Sequence, residues 1–258
     1  MKVLGQIALI TGGASGLGAG AARILTKAGV TCALLDRNLS LAEELVKELG
    51  GGMAIECDVS DGPGVEAAIA EVTKTLGAPR IVLNAAGIDI AVRTASPKGP
   101  HSLEEFQRVI NVNLTGTFNV ARVAAYGMIG LDVLSDNGNE DGERGVVINI
   151  ASVVAQDGPV GQAAYAASKA GVQGMTLPMA RDLAPYGIRV MTIAPGMFET
   201  PLAAGIPQKW IDSIIPTVPF PKRWGNPLEF GALVQHICEN SMLNGEMIRI
   251  DGAIRMGL

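Results

Sequence analysis

Tyr165 and Lys169 are the pair of residues in this sequence whose types and spacing most directly suggest chemistry. Residues four apart lie on one face of a helix, so a helix here brings the phenol and the ammonium group together. A phenol has a pKa of about 10, and acting as a base near neutral pH requires a shift of roughly three units, or about 4 kcal/mol. A cation about 4 Å away supplies roughly this free energy at an effective dielectric constant near 20. The pair is a candidate proton-transfer site, although Tyr-x-x-x-Lys alone is also common in helices without a catalytic role.

A glycine-rich turn forms a second candidate site. Residues 6–10 are short and apolar, as in a buried strand, and the apolar pattern after the turn is helical up to Gly29. Gly12, Gly16 and Gly18 lie between these two segments. Glycines let a ligand approach the main chain, and the free N–H groups at the start of a helix attract a pyrophosphate. The Gly-x-x-x-Gly-x-Gly spacing therefore predicts dinucleotide binding, although one glycine turn is weak evidence by itself.

Asp36 ends the next predicted strand, TCALLD. A carboxylate at this place accepts hydrogen bonds from an adenosine ribose and repels a 2′-phosphate, which favours NAD over NADP. Arg37 follows and would favour a phosphate, and Asp36 could instead only cap the helix predicted at 39–49. Asp58 and Val59 follow a third predicted strand. Asp58 is placed there either to bind an adenine amino group or to begin the turn before the next helix.

The predicted strands and helices alternate along the chain, which is typical of a parallel sheet. The sequence therefore predicts an α/β fold, a Rossmann doubly wound parallel seven-stranded sheet with helices on both faces. The predicted strands are 6–10, 31–36, 53–57, 80–83, 145–151, 188–193 and 246–250. Beyond the helix that ends at Gly29, helices are predicted at 39–49, 62–76, 102–127, 163–184 and 227–239. We expect a single NAD-binding domain over 1–258, with a substrate or lid segment at about 197–226.

Small or polar residues follow the predicted strands, where a ligand would lie. The segment NAAG at 84–87 leaves space for a flat ligand after the fourth strand, and Ser152 directly follows the fifth. Asn113 falls inside a predicted helix, where asparagine is an indifferent former, so it is either functional or a satisfied polar residue. A polar loop is expected at 93–101, and a mobile surface loop at 132–144.

The composition argues against several functional classes. A net charge of −5 without clustered Lys and Arg argues against a nucleic-acid surface. The 3 cysteines lie far apart, and with only 2 histidines neither a disulfide framework nor a metal site is expected. No apolar run approaches the roughly 18 residues of a membrane span, and the N-terminus shows no targeting pattern. We expect a soluble, cytoplasmic protein with buried free thiols.

Taken together, these motifs resemble the short-chain dehydrogenase/reductase family across essentially the whole chain. They occur in the family's order and approximate spacing, and they are Thr11-Gly12-x-x-x-Gly16-x-Gly18, Asn84-Ala85-Ala86-Gly87, Asn113, Ser152, Tyr165-x-x-x-Lys169 and Pro195-Gly196. The resemblance implies an oxidoreductase that uses NAD and acts on CH–OH groups.

The resemblance also implies a role for each catalytic residue. Tyr165 as phenolate accepts the hydroxyl proton while a hydride passes to the nicotinamide, and Lys169 lowers the pKa of Tyr165 and holds the nicotinamide ribose. Ser152 donates a hydrogen bond to the substrate oxygen, and Asn113 holds a water that links Lys169 to solvent. By its position one turn before Tyr165, Gln162 is a further substrate contact, beside Ser152 and Tyr165. The expected cofactor-binding residues are Gly12, Ser15, Gly16, Leu17, Gly18, Asp36, Asp58, Val59, Asn84, Ala85, Gly87, Tyr165, Lys169, Pro195, Phe198 and Thr200.

Within the family, longer stretches resemble the 3-hydroxyacyl-CoA dehydrogenases. These stretches are the loops at 93–101 and 132–144, the run 161–198 and the ending 243–256. They imply reversible NAD-dependent oxidation of short or branched 3-hydroxyacyl-CoA to 3-oxoacyl-CoA, a reaction of fatty acid metabolism, with side activity on steroids. They also imply a homotetramer, in which the small-residue surface of the helix at 163–184 packs against a second copy. Basic groups that could meet CoA are Lys98, Lys209, Lys222 and Arg223.

Three other functions stay open on the sequence. A hydroxysteroid or secondary-alcohol dehydrogenase fits the same residues, because they fix the chemistry and not the substrate. A 3-oxoacyl carrier-protein reductase usually prefers NADPH, so Asp36 argues against it. A non-catalytic dinucleotide-binding scaffold would not need all four catalytic residues, and all four are present.

Overall fold

A computed structural model describes residues 1–134, 142–205 and 208–256 of the chain. Its strands are β1 (Ile7–Thr11), β2 (Thr31–Asp36), β3 (Met53–Glu56), β4 (Ile81–Asn84), β5 (Ala95–Ser96), β6 (Gly99–Pro100), β7 (Gly145–Ile150), β8 (Ile188–Pro195) and β9 (Met247–Ile250). Seven of them form one parallel sheet in the order β3-β2-β1-β4-β7-β8-β9. The predicted seven-stranded parallel sheet is confirmed.

Helices cover both faces of this sheet, as the sequence predicts for a doubly wound fold. They are α1 (Gly16–Lys27), α2 (Leu39–Leu49), α3 (Gly62–Thr75), α4 (Leu103–Ile110), α5 (Gly116–Ile129), α6 (Val154–Asp157), α7 (Ala163–Leu183), α8 (Pro201–Ala204), α9 (Gln208–Ile214) and α10 (Pro227–Glu239). Buried residues of α1, α2 and α10 form one apolar layer, and those of α3, α5 and α7 form the layer on the opposite face.

Successive residues of a strand pack into opposite apolar layers, because side chains alternate between the two faces of a sheet. Leu9 packs into the layer of α3, α5 and α7, whereas its neighbour Ile10 packs into the layer of α1, α2 and α10. All six residues of β7 are buried, as expected for a central strand covered on both faces. The sheet is therefore supported on both faces by packed apolar side chains.

The chain order of the strands reverses at β1, which lies between β2 and β4. Ligands of open parallel sheets bind beyond the carboxyl ends of the strands at such a switch point. Thr11 at the end of β1 pairs with Asn84 at the end of β4, and Asn84 pairs in turn with Asn149 in β7. The segments that leave these strands consequently meet along one edge of the sheet.

Two regions differ from the sequence prediction in detail. The polar loop at 93–101 contains a short antiparallel hairpin of β5 and β6. The helix predicted at 102–127 is divided, because a π-helical turn at Asn111–Thr115 separates α4 from α5. The mobile loop expected at 132–144 lies largely outside the described residues.

None of the described helices is long and apolar enough to span a membrane. The described residues also include no cluster of three or more His, Cys, Asp or Glu side chains suited to a metal ion. Cys32, Cys57 and Cys238 are free and buried, as expected.

Helices α1 and α10 approach closely because glycines lie at their contact. A Cβ atom on Gly20 would lie 2.6 Å from the carbonyl carbon of Pro227, and one on Gly231 would lie 2.8 Å from the Gly20 carbonyl oxygen. Real Cβ atoms do not approach main chain this closely, so any side chain at either position would separate the helices.

We expect Gly20→Ala to lower the free energy of unfolding by about 1–3 kcal/mol, because the new methyl group overpacks the contact between α1 and α10. Gly127→Ala is the matched control, since Gly127 lies inside α5 and a methyl group there would meet no neighbouring atom within 4 Å. The free energy of unfolding of this control should rise by about 0.5–1 kcal/mol, because alanine has a higher helix propensity than glycine. Urea unfolding at a fixed protein concentration measures both, and equal stabilities of the two variants would contradict the packing argument.

Candidate active site

A cleft of about 1170 Å³ runs along the carboxyl edge of the sheet. It extends from Asp36 and Asp58, at the ends of β2 and β3, past the glycine turn to Tyr165 and Lys169 on α7. The segment between β8 and α10 borders the cleft with residues that include Leu202 and Trp210. All predicted site residues line this cleft except Asn84 and Asn113.

The glycine turn brings main chain to the middle of the cleft. Gly12 and Gly16 have φ angles of 59° and 52°, in the left-handed region that favours glycine. A Cβ on Gly12 would lie 2.8 Å from the main chain of Ala86, so only glycine permits this approach of β1 to the segment after β4. Thr11 fixes the same segment, because its Oγ1 accepts hydrogen bonds from the N–H groups of Ala85 (3.1 Å) and Ala86 (3.2 Å).

Helix α1 begins at this turn with its N-terminal groups available. The N-cap residue Ser15 makes no capping hydrogen bond with its side chain, and the first turn holds no acidic residue. The first N–H groups of a helix lack partners inside the helix and attract anions. The residues of the turn therefore fit the pyrophosphate of a dinucleotide.

The polar end of the cleft is built around Asp36. Its carboxylate accepts hydrogen bonds from the main-chain N–H groups of Ala14 (3.1 Å) and Asn38 (2.9 Å), so it is held in place at the end of β2. The cap of α2 is Asn38 rather than Asp36, because the Asn38 side chain accepts the hydrogen bond from Leu41. Arg37 lies 3.8 Å from Asp58, with both side chains exposed.

Asp58 also begins the turn before α3, as the structural alternative expected. Its Oδ1 accepts hydrogen bonds from the main-chain N–H and the hydroxyl of Ser60, at 2.9 and 2.6 Å. These bonds, and the charge of Arg37, hold the pKa of Asp58 below its usual value. Val59 is buried beside it. Contact of this pair with an adenine stays a prediction.

The segment after β8 covers the glycine turn from the other side. Phe198 borders the cleft, but its ring packs edge to face against Phe230 with the centroids 6.4 Å apart. Thr200 caps α8 through its hydroxyl, which accepts a hydrogen bond from Ala203. A Cβ on Gly16 would lie 3.3 Å from Thr200, so the start of α8 lies directly over the turn.

Asn84 does not line the cleft, and its role as a cofactor-binding residue stays a prediction. It is 2% exposed, and its Nδ2 donates a 2.9 Å hydrogen bond to Oδ1 of Asn149. Asn84 is still part of β4, and its amide points between β4 and β7 rather than out of the sheet edge. Its contribution is to hold these two strands together beneath the site.

Asn113 also lies behind the cleft, inside the π-helical turn. Its Oδ1 accepts from the Ile88 N–H at 2.8 Å, and its Nδ2 donates to the Ile88 carbonyl at 2.9 Å and to Ser168 Oγ at 3.1 Å. A Cβ on Gly87 would lie 3.2 Å from Asn113 Oδ1 and 3.5 Å from Lys169 Nζ. Asn113 and Lys169 are therefore neighbours across Gly87, as a water relay between them would require.

Ser152, Tyr165 and Lys169 meet at the inner end of the cleft. Ser152, at the exit of β7, lies beside Tyr165, and its hydroxyl lowers the pKa of the phenol. The Nζ atom of Lys169 lies 5.6 Å from the centre of the Tyr165 ring and donates a 2.9 Å hydrogen bond to the Ile150 carbonyl. Helix α7 and the end of β7 thus bring together the three side chains that the sequence predicted as a unit.

The pKa of Tyr165 is raised above its usual value, mainly because burial disfavours the phenolate. The charge of Asp89 raises this pKa further, and the hydroxyl of Ser152 lowers it. Burial lowers the pKa of Lys169 to about 8, against the opposing effect of Asp89. The neighbouring cation alone predicts a lower pKa for Tyr165. Burial and the charge of Asp89 reverse the direction of this shift.

Sequence reasoning missed Asp89, which lines the substrate end of the cleft. Its Oδ2 atom accepts a 3.1 Å hydrogen bond from Nε2 of Gln162, the residue before α7. A charged residue two positions after the small residues 84–87 was the available signal. Gln162 itself lines the cleft, as predicted.

The basic residues considered for CoA differ in their surroundings. Arg223 forms a 2.7 Å ion pair with Glu229 at the start of α10. Lys209 lies over the ring of Trp210, 5.8 Å from its centre, at the border of the cleft. Lys98 and Lys222 are not part of the cleft lining. Lys209 and Arg223 each directly precede a tryptophan that lines the cleft, and of these two Lys209 is the one without an ion pair to Glu229.

Comparison with known proteins gives a consistent result. Residues 6–210 match the family model described as short chain dehydrogenase. The 3-hydroxyacyl-CoA dehydrogenase type-2 of Bos taurus is 52% identical over 99% of this chain and 97% of its own length, and that of Drosophila melanogaster is 49% identical over 97% of each. The crystal structure of 3-hydroxyacyl-CoA dehydrogenase type-2 from Mycobacterium avium superposes with a TM-score of 0.91 and 36% identity, covering 98% of this chain and 97% of that one. With the Ser152, Tyr165 and Lys169 geometry, these matches show that the chain belongs to the short-chain dehydrogenase family.

Proposed function

We propose that this protein is an NAD-dependent dehydrogenase that reversibly oxidises short or branched 3-hydroxyacyl-CoA to 3-oxoacyl-CoA. The observation that carries the proposal is the meeting of Ser152, Tyr165 and Lys169 in a cleft of about 1170 Å³ that also contains the glycine turn and Asp36. The substrate class is supported by relatives about half identical over nearly the full chain, which bear the name 3-hydroxyacyl-CoA dehydrogenase type-2.

NAD, when bound, supplies the hydride acceptor and a positively charged ring at the inner end of the cleft. Asp36 is held where it can accept from the adenosine ribose, and its charge opposes a 2′-phosphate. Arg37 lies against Asp58, which supports the preference for NAD. The N-terminus of α1 would hold the pyrophosphate, and Lys169 would hold the nicotinamide ribose.

In the proposed reaction, Ser152 donates a hydrogen bond to the substrate oxygen and orients it toward Tyr165. Tyr165 accepts the hydroxyl proton, and Lys169 stabilises the phenolate that must form first. Because burial holds the pKa of Tyr165 high, positive charge beside the phenol is essential to the step. Asn113 would position the water through which Lys169 exchanges the proton with solvent.

The segment at about 197–226 is proposed to act as the lid and to select the substrate. Its residues that line the cleft are mostly apolar, among them Leu202, Trp210 and Ile214. An apolar wall suits an acyl chain, and it would also suit a steroid, which keeps the hydroxysteroid dehydrogenase as the second candidate. Lys209, beside Trp210, is placed to meet the phosphates of CoA at the rim.

A homotetramer in the cytoplasm completes the proposal. Phe118 and Tyr126 on α5 are 48% and 80% exposed, and Leu177 on α7 is 45% exposed. Both helices cover the same face of the sheet, so these side chains form an apolar surface that a second copy would bury. Three buried free cysteines suit a reducing compartment.

The substrate proposal is tested by following nicotinamide absorbance with 3-hydroxybutyryl-CoA and a steroid alcohol, each with NAD and with NADP. We expect kcat/KM to favour the CoA ester with NAD by at least about tenfold over every other combination. Turnover of the steroid alone would overturn the acyl-CoA assignment and leave the tyrosine chemistry intact. A preference for NADP would show that Asp36 does not exclude the 2′-phosphate.

We expect Tyr165→Phe to lower kcat by roughly 10³-fold or more, because it removes the proton acceptor and little else. The dissociation constant for NADH, measured by fluorescence titration, should change less than about threefold. Tyr186→Phe is the matched control, since Tyr186 is partly exposed in the turn after α7. Near-normal turnover by the Tyr165 variant would disprove its assignment as the base.

Light scattering should give a mass near four times 26.7 kDa at micromolar concentration. Tyr126→Glu places a charge on the proposed α5 surface and should reduce this mass. Leu4→Glu is the control, because Leu4 is also exposed but precedes β1. A wild-type monomer, or a Tyr126 variant that keeps the full mass, would contradict this interface.

A further inference from the structure

Asp89 is a charged residue in the cleft that the proposed reaction does not yet use. It follows Ile88 on the segment that leaves β4, and its side chain faces the cleft near Tyr165. Among the described charged residues that line the cleft, only Lys169 and Arg93 share this end with it. Asp36, Arg37 and Asp58 belong to the opposite end.

The position of Asp89 is fixed by the fold. Its neighbour Ile88 is held through both main-chain groups by the buried amide of Asn113, at 2.8 and 2.9 Å. Asn113 in turn belongs to the π-helical turn between α4 and α5. The carboxylate is therefore carried on a main-chain segment anchored one residue away.

The hydrogen bond between Asp89 and Gln162 determines how the side-chain amide of Gln162 is oriented. Gln162 precedes α7, but its side chain does not cap the helix. Its Nε2 donates to Asp89 Oδ2 at 3.1 Å, whereas its buried Oε1 finds no hydrogen-bond donor among the described residues. A carboxylate only accepts hydrogen bonds, so it requires the Nε2 atom to face it. The second N–H of Nε2 then stays available for an acceptor in the cleft.

The charge of Asp89 acts on the catalytic pair as well. The charge of Lys169 on α7 acts on Asp89, Tyr165 on the same helix is affected by the charge of Asp89, and the exposed Arg93 lies on the same segment as Asp89 in the cleft lining. Its negative charge raises the pKa of both Tyr165 and Lys169. For Lys169, this opposes the burial that would otherwise favour the neutral amine.

We propose that Asp89 is a positioning residue for this reaction: it directs the Gln162 amide toward the acyl carbonyl of the substrate and places a negative charge beside the Tyr165–Lys169 pair. The first part rests on the acyl-CoA function proposed above, whereas the second holds for any alcohol that the enzyme oxidises. Gln162 touches the substrate in this arrangement, and Asp89 acts through it.

The charge effect is tested with Asp89→Asn. Removing a negative charge lowers the pKa of neighbouring groups, so the acid limb of the kcat/KM profile should move to lower pH by about half a unit or more. Asp182→Asn removes the same charge from the exposed end of α7, about 26 Å along the helix from Tyr165. This control should leave the limb in place.

A readout without turnover separates this inference from the proposed function. Carbon NMR of labelled lysine, assigned with Lys169→Arg, should give Lys169 a lower pKa in the Asp89→Asn variant than in the wild-type protein measured alongside it. Unmoved titration of Lys169 together with an unmoved acid limb would overturn the charge role. This result is readable even if 3-hydroxyacyl-CoA proves not to be the substrate.

The positioning effect is tested with Asp89→Ala and Gln162→Ala. Each should raise KM for the CoA ester roughly tenfold while kcat falls less than about threefold, because the contact is made in both ground and transition states. The double variant should match the single ones, since Asp89 acts through Gln162. Additive effects, or a wild-type KM in Asp89→Ala, would overturn the positioning role.

Discussion

Removal of the Tyr165 and Lys169 side chains from water is the constraint on which the site depends. Both groups lose stability in their charged forms when buried, yet the proposed reaction requires a phenolate next to an ammonium group. The Ile150 carbonyl compensates part of the cost for Lys169 through a 2.9 Å hydrogen bond. That carbonyl belongs to the last residue of β7, so the end of this strand supplies an acceptor for the buried ammonium group.

The π-helical turn at Asn111–Thr115 links this constraint to the rest of the fold. Such a turn inserts one residue into a helix and is frequent at functional sites. Here it carries Asn113, whose amide satisfies both main-chain groups of Ile88 and also bonds Ser168 on α7. One buried side chain therefore ties the segment after β4 to the catalytic helix.

The fold and most of the site follow from sequence because they depend on local rules. Position 12 requires glycine because the turn after β1 contacts the main chain of Ala86. The small residues 85–87 follow β4, the neighbouring strand. What local rules do not predict involves neighbours that are distant in the chain. Asn84 pairs with Asn149, and the direction of the shift in the Tyr165 pKa depends on burial and on Asp89, which lies 76 positions earlier. A spacing rule contains no information on these contacts.

The two ends of the cleft divide binding from chemistry. At the Asp36 end, Arg37 and Asp58 are exposed, and water screens their ion pair. The proposed dinucleotide would therefore bind at this end with little desolvation of charged side chains. At the Tyr165 end, the groups are desolvated, and one charge more or less changes which protonation state exists. In the proposed complex, binding energy gained at the exposed end would bring the cationic nicotinamide ring to the buried end, where charge has its largest effect on the barrier. The long parallel edge of the sheet makes this division possible, because it separates the two environments while fixing the distance between them.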